Sequence, residues 1–89
     1  MTAPVTLILG LGRDVGIACA KHFKAEGHDV LVAAESDKEI DKARSQLPKD
    51  VNLHHGDLDS NIGLRNVLTA ATEAYGRHDN LIIIPPIPA

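Results

Sequence analysis

Residues 5–27, VTLILGLGRDVGIACAKHFKAEG, join an apolar run to a helical period through three glycines. The stretch opens with VTLILG (5–10), a continuous β-branched and leucine run that ends in glycine. DVGIACAKHFKAEG (14–27) follows with helical period, Val15, Cys19 and Phe23 lying along one side with the small Ala18 and Ala20. Gly27 is expected just past that helix, as the residue that closes it before the next strand. Between strand and helix stand Gly10, Gly12 and Gly16. Gly10 can supply the tight turn, Gly12 a positive φ, and Gly16 a close approach of helix to strand. Such a turn is where a phosphate is held, because a helix start offers N–H groups and partial positive charge.

The remainder repeats the alternation. DVLVAA (29–34) reads as a second strand. KEIDKARSQL (38–47) carries Ile40, Ala43 and Leu47 on one helical face, and Pro48 stops it. VNLHHG (51–56) is a weaker third strand. SNIGLRNVLTAATEAYG (60–76) aligns Leu64, Val67, Leu68, Ala71 and Tyr75, and NLIII (80–84) is a fourth strand, followed by prolines that cannot extend a ladder.

Strands alternating with helices form a parallel sheet covered on both faces. Right-handed crossovers then dictate the strand order 3-2-1-4, with the first two helices on one face and the third on the other. The expected fold is an α/β, Rossmann-like three-layer sandwich with three helices, residues 1–89 making one domain. Ligands of such sheets bind beyond the strand carboxyl ends at the switch point, here between strands 1 and 4. Residues 10–16 and 84–86 both reach that crevice.

Composition narrows the partners. The 89 residues are 44% hydrophobic and 24% charged, a globular mixture. A net charge of −3 without a basic stripe argues against nucleic acid or an anionic membrane. With Phe23 and Tyr75 the only aromatic residues of that class, a base-stacking surface is not expected either. The single cysteine excludes an internal disulfide, and Cys19 reads as a small buried hydrophobe. MTAPVTLILG has no basic leader region and too short an apolar run for a span, so a soluble, cytoplasmic protein is expected.

At the glycine turn the chain resembles the N-terminal half of the short-chain dehydrogenase/reductase family. The likeness continues through GIACAKHFKAEGHDVLVAA and GDLDSNIGLRNVLTAATEAYGRHDNLIII, without a gap. It implies NAD(P)(H) binding, with Gly10, Gly12 and Gly16 along the pyrophosphate and Asp57 on the adenine amino group, Leu58 beside it. The implied cofactor set is Gly10, Gly12, Arg13, Asp14, Val15, Gly16, Glu35, Asp57 and Leu58. Arg13, just before the family's middle-glycine position, favours a 2′-phosphate. Glu35, just past strand 2, opposes one and could accept from a ribose hydroxyl instead. The lean is to NADP(H) over NAD(H).

Three features depart from the family. Asp14 stands where the middle glycine belongs; its carboxylate repels pyrophosphate unless folded down onto the helix, and as an ordinary residue it would cap helix 1 by accepting a backbone N–H. IIPP (83–86) replaces an Asn-Asn-Ala-Gly segment. The family's catalytic Ser, Tyr and Lys lie beyond strand 4, and nothing here stands in for them, so a truncated or degenerate relative, or one component of an assembly, is expected. Two alternatives stay open: an interaction module that has kept the fold and lost the ligand, and an oxidoreductase completed at an oligomer interface.

Other polar residues read more plainly. Adjacent His54 and His55 point to opposite faces of a strand, and with scattered His22 and His28 make no metal site. Asp37, Glu39 and Asp41 with Lys38 and Lys42 read as a solvated helix start. Asp59 or Ser60 is expected to cap the third helix, and Tyr75 to pack rather than act as an acid. Strand 80–84 is a doubly apolar run at a sheet edge, which proteins normally protect. Pairing with a second copy, or with a partner chain, is expected there.

Overall fold

The computed structural model describes residues 3–12, 14–58, 60–76 and 79–84. Chain order is β1 (Val5–Leu9), α1 (Val15–Ala25), β2 (Asp29–Ala34), α2 (Asp37–Gln46), β3 (Asn52–His55), α3 (Asn61–Tyr75) and β4 (Asn80–Ile83). The four strands form one parallel sheet in the order β3-β2-β1-β4, as the alternation requires.

Register explains why β1 is apolar throughout. Leu7 lies opposite Leu31 and Leu81, and Ile8 opposite Val32 and Ile82. Every residue of β1 is buried, because the strand is central and covered on both faces. On one face Ile8, Val30, Val32 and Ala34 pack with Ile17 and Ala20 of α1 and Ile40 and Ala43 of α2. On the other, Val5, Leu7, Leu9, Leu31 and Ala33 pack with Val67 and Ala71 of α3. Each fully buried Leu, Ile or Val contributes about 1.5–3 kcal/mol relative to an exposed one. Both layers are therefore needed to hold the turn between them.

Polar groups tie the strands' amino ends. Asp79 accepts from the backbone N–H of Val5 at 2.8 Å and returns its own N–H to the Val5 carbonyl at 2.9 Å. Thr6, fully buried, has its hydroxyl 2.8 Å from His28 Nδ1 and accepts from Asn80 Nδ2 at 3.2 Å. Tyr75 donates its phenol proton to the Val30 carbonyl at 3.1 Å and accepts from the Asn52 amide.

α1 departs from its expected face. Gly16, Ile17 and Ala20 are the buried residues, whereas Val15 is 53% exposed and Ala18 is exposed. Cys19 and Phe23 sit at the rim, partly buried against the core. Gly16 faces inward because the first turn of α1 rests on Gly10 and Leu11, and Ile17 and Ala20 follow it onto the sheet. α2 and α3 keep their expected faces, with Ile40, Ala43 and Leu47 buried, Val67 and Ala71 buried, and Leu64, Leu68 and Tyr75 packed beside them. Among the described residues, no helix is long and apolar enough to cross a membrane.

Candidate functional site

The β1–α1 turn is built by one buried anchor and two close approaches. Leu11 is 1% exposed and joins the core, so the turn is pinned from below while Gly10 and Gly12 remain half-buried above. Gly10 has φ +98 and donates its N–H to the Ala33 carbonyl at 2.8 Å. A Cβ there would stand 2.6 Å from the Ile84 carbonyl oxygen, so β4 also closes against the turn. At Gly16 a Cβ would lie 2.6 Å from the Gly10 carbonyl oxygen and 2.7 Å from Leu11 Cα. Helix α1 thus rests directly on the turn that precedes it. Its Gly16 N–H is already given to the Leu11 carbonyl at 2.9 Å. The other first-turn N–H groups belong to the end of a helix that leaves such donors without intrahelical acceptors.

Asp14 holds the N-cap position, but its side chain accepts no capping hydrogen bond. The expected cap is therefore corrected. Its backbone carbonyl does start the helix, accepting from Ala18 N at 3.0 Å. The carboxylate instead meets Lys42 Nζ at 2.7 Å, so it is turned toward α2 rather than down onto α1. Lys42 stays exposed, as expected of a solvated helix face, and it gains Asp14 as a partner. Val15, next in the chain, is exposed at the head of α1. Arg13 lies outside the described residues, as do Pro85 and Pro86 of the IIPP segment.

A second wall is formed by the tips of β2 and β3. Glu35 follows β2 and is exposed, and Asp57 is exposed just beyond β3. His55 at the end of β3 donates from Nε2 to the Glu35 carbonyl at 2.9 Å. Its Nδ1 stands 3.3 Å from Asp37 Oδ1, an ion pair when the ring is doubly protonated. One imidazole therefore fastens the β2–α2 loop to β3. Ser36 caps α2 by accepting from Glu39 N at 3.2 Å. Ser60 caps α3 by accepting from Gly63 N at 2.9 Å, and Asp59, the other candidate cap, lies outside the described residues. Leu58 is partly buried against the α3 face of the core.

Three contributors escaped the sequence reading. Gly63 is one: a Cβ on it would overlap the Asp57 carbonyl, so α3 starts directly against the loop that carries Asp57. Its signal was available, since a lone glycine inside a helical run usually has a packing reason. His55 and Lys42 carried no signal, because their partners are set only by the tertiary fold. The site brings Gly10, Gly12, Asp14, Val15 and Gly16 to the end of β1, and Glu35, Asp57 and Leu58 to the ends of β2 and β3. All of these lie at the carboxyl edge of one parallel sheet. Among the described residues, no group of His, Cys, Asp or Glu is placed to hold a metal.

The start of α1 stands beyond the end of β1, where helix-start N–H groups suit an anion, and exposed Glu35 and Asp57 follow at the ends of β2 and β3. No family model matches the sequence. It is 32% identical over 79 residues to the meso-2,3-butanediol dehydrogenase of Serratia marcescens, covering 88% of this chain and 32% of that protein. The structure resembles levodione reductase with a TM-score of 0.76 at 26% identity, over 91% of this chain and 33% of the other. It also shares the fold of the 3-ketoacyl-(acyl-carrier-protein) reductase of Brucella melitensis complexed with NADH. There the TM-score is 0.73 at 21% identity, over 88% of this chain and 32% of that one. The chain thus spans about a third of the length of the relatives it matches.

Proposed function

Because the chain is related to the short-chain dehydrogenase/reductase family, over the N-terminal part of its members, we propose that it binds NAD(P)(H). The diphosphate would lie over Gly10, Gly12 and the start of α1, beside Val15. The adenosine end would extend toward Glu35, Asp57 and Leu58. The observation that carries this reading is the β1–α1 turn itself, where Gly10 and Gly12 take positive φ and Gly16 lets the start of α1 sit directly on the turn. A helix that begins this close to the end of its strand directs its first-turn N–H groups and partial positive charge at a phosphate placed beyond that strand.

When bound, the nicotinamide supplies hydride-transfer chemistry. The residues of this chain bind and orient the dinucleotide. NADP(H) is the preferred form, on Arg13 in the sequence, with Glu35 as the counter-argument. Residues 1–89 are read as one cofactor-binding unit.

The second reading, an assembly edge, rests on β4. Leu81 is 48% and Ile83 66% exposed, on the face opposite α1 and α2. Pairing of β4 with β4 of a second copy, or with a partner chain, would cover that strand.

The test of cofactor binding is titration with NADPH and NADH, followed by amide chemical shifts. Shifts are expected at residues 10–16 and at Asp57. No perturbation at millimolar dinucleotide overturns the proposal, and leaves the fold as an interaction module.

A further inference from the structure

Asp14 presents an electrostatic problem for the proposed site. A carboxylate at the mouth of a diphosphate cradle repels the ligand, and nothing on α1 restrains it, since its side chain makes no capping bond. What does hold it is Lys42, reaching from α2 to within 2.7 Å of Oδ1. We propose that Lys42 is a positioning residue for the dinucleotide: it draws the Asp14 carboxylate toward α2 and cancels its charge, keeping the start of α1 open to the diphosphate. The inference rests on the cofactor-binding reading and extends it to a residue that touches no ligand.

Two physical points make the pair fit this task. Both side chains are substantially exposed, at 47% for Lys42 and 71% for Asp14. Such a pair adds little to stability, because water and salt screen it and long side chains lose freedom in forming it. What the pair settles is where the Asp14 carboxylate stands, rather than how stable the fold is. The second point is geometric. An aspartate at an N-cap ordinarily turns onto the helix N–H groups and occupies the positions an anion would take. Withdrawn toward α2, the same carboxylate leaves them available.

The test is a double-mutant cycle on dinucleotide affinity, measured by fluorescence titration with NADPH and NADH. Lys42→Met in the wild-type background is expected to weaken binding about five- to tenfold, the scale of one nearby uncompensated charge in a partly solvated site. In the Asp14→Asn background the same substitution is expected to change affinity less than about twofold, since no carboxylate remains to be held. Lys42→Arg should retain affinity. Melting temperatures should stay within a few degrees throughout, as befits an exposed pair; should Lys42→Met fail to fold, Lys42→Gln takes its place.

Equal weakening with and without the Asp14 carboxylate would overturn the inference, because Lys42 would then act on the ligand itself. Unchanged affinity in Lys42→Met would also overturn it, while leaving the cofactor reading intact. Binding by Asp14→Asn but not by wild type would show that Lys42 fails to withdraw the carboxylate, and would overturn the inference together with the proposal that this chain as it stands binds the cofactor. Absence of binding in wild type and every variant would remove the cofactor reading and this inference together.

Discussion

Replacing Gly16 by alanine sets two opposed effects against each other, and the geometry decides the sign. Alanine is favoured over glycine in a helix by about 1 kcal/mol, and Gly16 carries no left-handed φ that would penalise a side chain. Against this, the new Cβ would sit 2.6 Å from the Gly10 carbonyl oxygen, 2.7 Å from Leu11 Cα and 3.0 Å from Leu11 Cδ2. Ordinary contact begins near 3.4 Å. The first two neighbours are backbone atoms, so neither can swing away. Helix α1 must lift off the turn by several tenths of an ångström, loosening Ile17 and Ala20 against Ile8 and Val32. Overpacking of this kind costs about 1–3 kcal/mol, toward the upper end where rigid atoms meet. The net expectation is a loss of about 1–2 kcal/mol, in a domain whose total stability is on the order of 4–13 kcal/mol. With a urea m-value of about 1 kcal/mol/M, the unfolding midpoint should fall by roughly 1–2 M. Dinucleotide affinity should drop as well, because lifting α1 separates its first N–H groups from the Gly10 turn. A midpoint equal to or above wild type would refute the reasoning, since propensity would then outweigh a contact that is not there.

Gly63→Ala should likewise destabilise despite better helix propensity, because its Cβ would overlap the Asp57 carbonyl; amide shifts of residues 56–58 should move with it, and a stabilised variant with unmoved shifts would show that α3 does not abut the loop. Burial holds the Tyr75 phenol above its ordinary 10.0, with the Asn52 amide pulling partly the other way. The neutral phenol is thus favoured in the fold, and above about pH 10 the unfolded chain releases the proton first, so this stability is full below pH 10 and is lost as pH rises further. Tyr75→Phe, which also loses the bond to the Val30 carbonyl, should melt lower at pH 8 by an amount equivalent to about 1 kcal/mol, with the gap narrowing above pH 10; a gap constant from pH 8 to 11 would contradict this. Ile83→Lys places a charge at an exposed strand position, and sedimentation should show a smaller species than wild type; a monomeric wild type would remove the case for β4 as an assembly edge.

Fold and site differ in how far they could be read from residues alone. Strand order followed from the alternation of apolar runs with helical periods, because few topologies satisfy right-handed crossovers. The faces of α2 and α3 followed from spacing, since Ile40, Ala43 and Leu47, like Val67 and Ala71, recur at helical intervals. α1 defeated the same method. Its period offers Val15, Cys19 and Phe23 as a bulkier stripe than Gly16, Ile17 and Ala20, and hydrophobicity alone prefers the bulkier one. What selects the other face is the contact of Gly16 with Gly10 and Leu11, which turns Gly16, Ile17 and Ala20 inward and which no helical period contains.

The same division runs through the site. Gly10 and Gly16 were legible because a turn between strand and helix makes a demand on backbone geometry, and only one residue type meets it at low cost. Charge makes no such demand on its neighbours in sequence. Asp14 reads as a cap in its local context, and Lys42 reads as one of several charges on an exposed helix, each the more common role for its type. Their pairing appears only when β2 is set beside β1 and α2 is laid on the same face as α1. His55 shows the same limit, since its acceptor at Glu35 lies across a helix and a loop in the chain but beside it in the sheet. The question of whether Asp14 obstructs the cradle is therefore one of tertiary electrostatics. It turns on a lysine whose own sequence context gave no reason to consider it.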